Sequence, residues 1–228
     1  MEETKVNKTL RNWAFCLAVL ALSISALAAN KNGYTTSKDG KTTYAVKASG
    51  YIGGANLPSG LQVISSNLNA FYPLGRYFCC YGNTISSAGS IIGHQYAVGV
   101  PFTPAANATI KKIVVAVGYV TGTNSAQVSI NADNGGLPGA PIIHADINNL
   151  PPYGSCCVLD LHNANLPVTQ GTQYWVVVST DSNSPDTWDG WNFNTTNMTI
   201  LPYAGQADGI WGEAIGELPA YGVFGTTP

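Results

Sequence analysis

The sequence is poor in charged residues, and after Lys112 it contains no lysine or arginine. Lys, Arg, Asp and Glu make up 10% of its 228 residues, against about 25% in an ordinary soluble domain. This scarcity excludes a coiled coil or a helical bundle, because such proteins are rich in Glu, Lys and Arg. It also argues against nucleic-acid binding, since contacts with phosphates require clustered basic side chains.

Small neutral polar residues take the place of the missing charge. The chain has 20 Asn, 20 Thr and 16 Ser, together with 25 Gly and 13 Pro. Apolar residues still make up 45% of the chain, and its net charge is −2, so a core can form and charge-driven disorder is excluded. This composition predicts a β-rich, loop-rich protein with one main domain.

One long apolar run is present, at residues 13–29, and basic residues precede it. An Ala-Leu-Ala sequence at 26–28 fits the small residues that a signal peptidase accepts. We therefore predict a secretory signal peptide over residues 1–29, with an uncleaved membrane anchor as the alternative. Since the C-terminus has no apolar tail, we expect a secreted, extracellular protein without stable membrane insertion after cleavage.

Residues 30–60 are rich in Gly, Ser, Thr, Asn and Lys, which predicts a flexible basic arm. Its basic residues are Lys31, Lys38, Lys41 and Lys47. Residues 113–228, in contrast, carry nine acidic residues. The arm is either simply solvated or contacts an acidic polymer or membrane surface.

From Leu61 onward the pattern is one of short strands between turns, without a helical period. The clearest strand runs from Thr109 to Val120, where Ile113, Val115 and Val117 share one face. Many short strands at regular spacing predict an all-β fold. The other expected strands are at residues 61–65, 96–100, 126–130, 142–147, 157–161, 174–178, 188–193, 211–215 and 221–224. We expect residues 61–228 to form a jelly-roll-like, two-sheet antiparallel sandwich, preceded by the signal helix and the flexible arm.

Four cysteines remain after the predicted signal peptide, as the adjacent pairs Cys79-Cys80 and Cys156-Cys157. An even number in an exported chain predicts disulfides. The bridges join the two pairs in either order, or each pair forms a vicinal bridge. One bridge that closes a loop of about 78 residues would stabilise the fold by roughly 4.5 kcal/mol.

The densest group of oxygen donors lies between residues 181 and 189. Asp181, Asn183, Asp186 and Asp189 could supply the carboxylate and amide oxygens that calcium prefers. The spacing matches no EF-hand loop, and the alternative is a loop closed by its own Asx turns. No other cofactor is expected.

Aromatic residues are concentrated in the same part of the chain. Trp188 and Trp191 lie beside Asp189 and Asn192, with Trp211 further along. Packing in the core is the first interpretation of these indoles. The alternative is a carbohydrate-binding surface, because exposed indoles between amides and carboxylates can stack on sugar rings.

We do not expect an enzyme, because the sequence contains no nucleophile, zinc-protease or P-loop motif. A polysaccharide hydrolase would need two positioned carboxylates. The acidic residues available for that role are Asp181, Asp186, Asp189, Asp208, Glu213 and Glu217.

Several segments together resemble the secreted "choice-of-anchor" β-sandwich domains of bacteria, of the R-type. They are Phe102-Thr103-Pro104, Thr109 to Tyr119, Gly122-Thr123-Asn124, Gln127 to Asn131, Asp133 to Gly139 and Gly171 to Val178. The resemblance implies an exported β-sandwich without a common enzymatic activity. Such domains are joined to the surface by sorting tails. None is visible here, so we expect a free or non-covalently held product.

These observations predict a secreted non-catalytic module with a structural or ligand-binding role at the cell envelope or matrix. Its expected partners are neutral polysaccharide or envelope and matrix components. The alternatives are a lectin-like module, assisted by calcium or not, and a polysaccharide hydrolase. A self-associating coat or adhesion subunit is a further alternative.

Overall fold

The computed structural model describes residues 34–36, 45–50, 60–68, 77–154, 157–194 and 200–228. These residues form fifteen β-strands and no helix. The strands are β1 (Tyr34–Thr36), β2 (Ala45–Gly50), β3 (Gln62–Ser66), β4 (Tyr77–Ser86), β5 (Tyr96–Phe102), β6 (Ala108–Val115), β7 (Val117–Thr121), β8 (Ser125–Asp133), β9 (Pro138–Asn148), β10 (Cys157–Val168), β11 (Tyr174–Ser179), β12 (Trp188–Asn194), β13 (Ile200–Ala207), β14 (Ile210–Glu217) and β15 (Tyr221–Thr226). In this part of the chain no helix is long and apolar enough to cross a membrane.

The strands form two antiparallel sheets. The six-stranded sheet has the order β1-β2-β10-β6-β15-β3, and the nine-stranded sheet has the order β7-β12-β4-β5-β11-β8-β9. The remaining two strands of the larger sheet, β13 and β14, form a hairpin that joins it through β5. The predicted all-β fold with two antiparallel sheets is confirmed.

The core lies between the inner faces of the two sheets. On β11, Tyr174, Val176 and Val178 face it, whereas Trp175 and Val177 belong to a second cluster on the outer face. This alternation follows from the two-residue period of a strand. Because both faces of this central strand are covered, its sequence is apolar throughout.

The run from Thr109 to Val120 is not the single strand that its alternation predicts. It divides at Ala116 into β6 of one sheet and β7 of the other. The Ala116 N–H donates to the Ala220 carbonyl (3.2 Å), and the Ala116 carbonyl accepts from the Asn192 N–H (2.9 Å). The sheets meet here, so the run is buried on both sides and its alternation does not reveal the division.

A connection at residues 151–154 covers the outer face of β7 and β12. The Tyr119 N–H donates to the Pro151 carbonyl (2.8 Å), and the Tyr153 N–H donates to the Tyr119 carbonyl (2.7 Å). The Tyr153 ring lies directly on Gly190, where a Cβ atom would overlap it. The strand β12 is therefore enclosed on both faces.

Parts of the predicted arm are strands: β1 pairs with β2, and β2 pairs with β10. The rest of the arm and the predicted signal peptide lie outside the described residues. Cys79 and Cys80 belong to β4, and Cys157 belongs to β10, in the other sheet. Their side chains and all of Cys156 lie outside the described part, so the disulfides stay a prediction.

Candidate functional site

The indoles of Trp188 and Trp191 are in the interior, so the predicted carbohydrate-binding surface is not formed by them. Trp191 is fully buried, and its Nε1 donates to the Ala220 carbonyl at 2.9 Å. Trp188 is 8% exposed. The alternative of exposed indoles is wrong because β12 lies between β4 and β7 and is covered on both faces. The first interpretation, that these indoles pack in the interior, agrees with their burial.

Asn192 was predicted to contact a ligand, but it connects the two sheets. Its Nδ2 and its backbone N–H both donate to the Ala116 carbonyl, each at 2.9 Å. Its own carbonyl accepts from the Ala220 N–H at 2.8 Å. Asn192 is 3% exposed, which leaves no surface for a ligand.

Asp189 is also an interior residue. It pairs with Ile85 of β4 on one side and Tyr119 of β7 on the other. Its side chain is fully buried, and neither carboxyl oxygen has a hydrogen-bond partner in the described part of the chain. Burial raises the pKa of Asp189 to about 9, so the carboxyl is protonated and neutral at pH 7.

Two of the other predicted calcium ligands, Asp181 and Asp186, accept hydrogen bonds from residues 123–125. Asp181 accepts from the Ser125 hydroxyl and from the Asn183 N–H. Asp186 Oδ1 accepts from the Thr123 hydroxyl (2.6 Å) and the Thr123 N–H (2.9 Å). The hydroxyl bond is the main reason that the pKa of Asp186 is lowered. The bond from the Asn183 N–H closes the loop on itself, as the alternative of an Asx turn predicts, whereas the bonds from Thr123 and Ser125 tie the loop to another segment.

Asp189 lies in the core and is thus separated from this loop, so the four predicted ligands do not form one exposed set. The described residues contain no group of three or more His, Cys, Asp or Glu side chains able to hold a metal ion. Calcium binding itself stays a prediction.

A contact that sequence reasoning missed joins the turn after β8 to the outer face of β11. Trp175 Nε1 donates to Asp133 Oδ1 at 2.8 Å, and Gln173 Nε2 donates to the same oxygen at 2.7 Å. The Gly136 N–H donates to Asp133 Oδ2 at 3.1 Å. The bond from Trp175 is the largest cause of the lowered pKa of Asp133. The carboxylate therefore fixes the turn to the strand.

The same turn packs on the sheet with its apolar residues. Leu137 contacts the outer cluster of Trp175, Val177 and Ala204, and Trp211 of β14 packs against it from the hairpin. Gly99 lies beneath Pro138, so close that a Cβ atom would be 2.8 Å from the proline ring. Two of the segments that carry the family resemblance, Asp133 to Gly139 and Gly171 to Val178, thus contact each other.

One surface of the β13–β14 hairpin presents polar and apolar side chains together. Gln206 pairs with Trp211, and Ala204 pairs with Glu213, so Gln206, Trp211, Glu213 and Ile215 share a face. Ile215 is 75% exposed, Glu213 is exposed and Trp211 is half-buried. We call these four residues the hairpin face.

Trp211 and Glu213 were separate candidates in the sequence, for sugar stacking and for hydrolysis, and were not predicted to share a surface. The alternation of Trp211, Glu213 and Ile215 was the available signal. The partner strand β13 contains Pro202 and Gly205, which conceal its strand character. Because β13 is not recognisable as a strand in the sequence, the hairpin and the hairpin face could not be predicted.

No protein-family model matches this chain, and no curated protein matches it. The fold and the contacts described above are therefore the basis for the functional argument.

Proposed function

We propose that this protein is a secreted, non-catalytic module with a structural role at the cell envelope or matrix. The observation that carries the proposal is that the polar residues nominated for chemistry are either bonded to neighbouring segments or enclosed in the interior. Asp186 and Asn192 bond to neighbouring segments, and Asp189 is enclosed in the core. The resemblance to choice-of-anchor R-type domains agrees with this role, and we propose that relationship as well.

The electrostatics of the carboxyl groups favour this role over hydrolysis. A glycoside hydrolase needs a general acid with a raised pKa that contacts the scissile bond. Among the described carboxyl groups, the one whose pKa is raised is that of Asp189, and it is fully buried. Hydrogen bonds lower the pKa of the exposed groups of Asp186 and Asp208, which suits carboxylates that accept hydrogen bonds.

Incubation of the secreted chain with a panel of polysaccharides tests the proposal. We expect the protein to co-sediment with insoluble envelope or matrix material and to release no reducing sugar. Sugar release that is lost in an Asp208→Asn or Glu213→Gln variant with unchanged thermal unfolding would contradict a non-catalytic role. Soluble protein that never sediments with such material would contradict the structural role.

A second candidate function is carbohydrate binding at the hairpin face. Trp211 is half-buried, with one part packed on the outer cluster and the rest open to a ligand. Glu213 and Gln206 lie on either side of it and could accept or donate hydrogen bonds to sugar hydroxyls. An indole beside such groups suits a neutral sugar ring.

Glycan-array binding with and without a calcium chelator tests this second function. We expect Trp211→Ala to abolish binding and Trp191→Phe to preserve it, because Trp191 is buried. Binding that is lost on chelation would show that calcium takes part in it. Binding that survives Trp211→Ala would place the ligand elsewhere.

A further inference from the structure

The hairpin ends in a strand with a free edge. β14 is eight residues long, and among the described strands it pairs only with β13. Its other side therefore presents N–H and C=O groups that can pair with an added strand.

The side chains around this edge are apolar and acidic. Ile210 is 77% exposed and Ile215 is 75% exposed. The hairpin also carries Asp208, Glu213 and Glu217, and it has no Lys or Arg. A partner for this edge should be extended, rich in residues with high strand propensity, and positively charged.

The N-terminal segment of the same chain has these properties. Residues 30–44 carry Lys31, Lys38 and Lys41 against Asp39 alone. They also contain a Tyr-Thr-Thr and a Thr-Thr-Tyr sequence, at 34–36 and 42–44, and both residue types favour strands. Residues 34–36 already form a strand, β1.

We propose that the free edge of β14 binds residues 30–44 of a second copy of this chain as an added strand. This inference rests on the proposed structural role and names its partner. Lysines of the incoming segment lie beside Glu213 and Glu217, and its extended backbone pairs with β14.

The contact between copies replaces the pairing of β1 with β2 by pairing with β14 of another copy, and this replacement favours association. Within one chain β1 is held by three residue pairs with β2, whereas β14 offers an edge of eight residues. The two surfaces are different parts of the chain, so the contact is head-to-tail. Contacts of this kind build rings or open filaments and not only dimers.

Pairing of β14 with a second β14 is disfavoured by charge. In an antiparallel pair of identical strands, Glu213 of one copy would lie near Glu213 of the other, and like charges opposite each other are destabilising. The basic segment removes this repulsion.

Sizing of the chain that begins at residue 30 tests the proposal. We expect oligomers at low salt whose population falls as the salt concentration rises. Glu213→Gln with Glu217→Gln should weaken association roughly tenfold. A variant with Ala105→Lys and Ala106→Lys is the matched control, since it changes the net charge by the same amount at exposed positions away from the hairpin.

A charge exchange makes the test specific. Glu213→Lys with Glu217→Lys, and Lys38→Glu with Lys41→Glu, should each give monomers, and their equimolar mixture should form oligomers that contain both variants. Unchanged thermal unfolding of each variant shows that the fold is intact. A parent chain that is monomeric at low salt, or a mixture that stays monomeric, would overturn the inference. Glycan binding by a monomeric parent that Glu213→Gln abolishes would assign the hairpin to carbohydrate instead.

These results are separable from the proposed structural role. If the chain sediments with envelope material but remains monomeric, the self-association inference is wrong and the proposed structural role stands.

Discussion

The indole nitrogen of Trp175 lies 2.8 Å from Asp133 Oδ1 and donates a hydrogen bond to it. This bond joins the Gly-Leu-Pro-Gly turn to the strand β11, two segments 42 residues apart in sequence. The same turn also packs beside Trp211 of the hairpin. The position of the hairpin face therefore depends on a contact between turn and strand.

A double-mutant cycle measures this contact. We expect Trp175→Phe to lower the free energy of unfolding by about 1 kcal/mol more in the parent than in Asp133→Ala, since the phenyl ring keeps the packing and loses the N–H. Denaturant titration provides the four values. Strictly additive effects would show that the bond does not contribute to stability.

The same cycle should depend on pH. Because the pKa of Asp133 is lowered in the folded protein, its contribution is present above the unfolded value of 3.8 and disappears as the pH falls through the folded value. The coupling between Asp133 and Trp175 should thus shrink in acid. A coupling that grows on acidification would contradict this assignment.

Asp189 should make stability depend on pH in the opposite direction. Its pKa rises from 3.8 to about 9 on folding, so the folded state keeps a proton that the unfolded state releases between these values. Its contribution to stability is complete below about pH 3.8 and declines as the pH rises towards about 9, by on the order of 1 kcal/mol per pH unit.

An Asp189→Asn variant isolates this term, since the amide has a similar size and does not titrate. We expect the stability of the variant relative to the parent to increase steadily from pH 5 to pH 8. Asp208→Asn is the control, because the pKa of Asp208 is lowered and its effect is confined to acid. A constant difference for Asp189→Asn across this range would show that the carboxyl is ionised in the folded protein.

Gly190 should tolerate no side chain, because the Tyr153 ring occupies the position of its Cβ atom. We expect Gly190→Ala to destabilise the protein by about 1–3 kcal/mol through this overlap. Gly205→Ala is the matched control in another strand, where nothing lies within 4 Å of the added atom. Equal stabilities of the two variants would mean that residues 151–154 do not cover β12.

Regular alternation made much of the fold predictable. The strand predicted at 126–130 lies within β8, and the one predicted at 174–178 lies within β11. β4 and β13 were missed, since Asn, Gly and Pro interrupt their apolar pattern. Ala116 was placed within a continuous strand because the alternation persists across the junction of the sheets.

The candidate site was less predictable for a physical reason. The local sequence does not show whether the indole of Trp191 is buried or exposed, because the cover on both faces of this central strand comes from other segments. The burial of Asp189 could not be predicted either, since a carboxyl group normally lies on the surface. The hairpin face depends on the pairing of Trp211 with Gln206, and this register is seen only in the folded chain.

Solvent access to individual indoles tests the central claim most directly, namely that the Trp188–Asn192 segment is interior and the accessible surface lies on the hairpin. Acrylamide quenching of the secreted chain and of its single Trp→Phe variants distinguishes the indoles. We expect Trp211→Phe to remove most of the quenchable emission and Trp191→Phe to leave it in place. Quenchable emission that disappears with Trp188→Phe or Trp191→Phe, and persists in Trp211→Phe, would contradict the account.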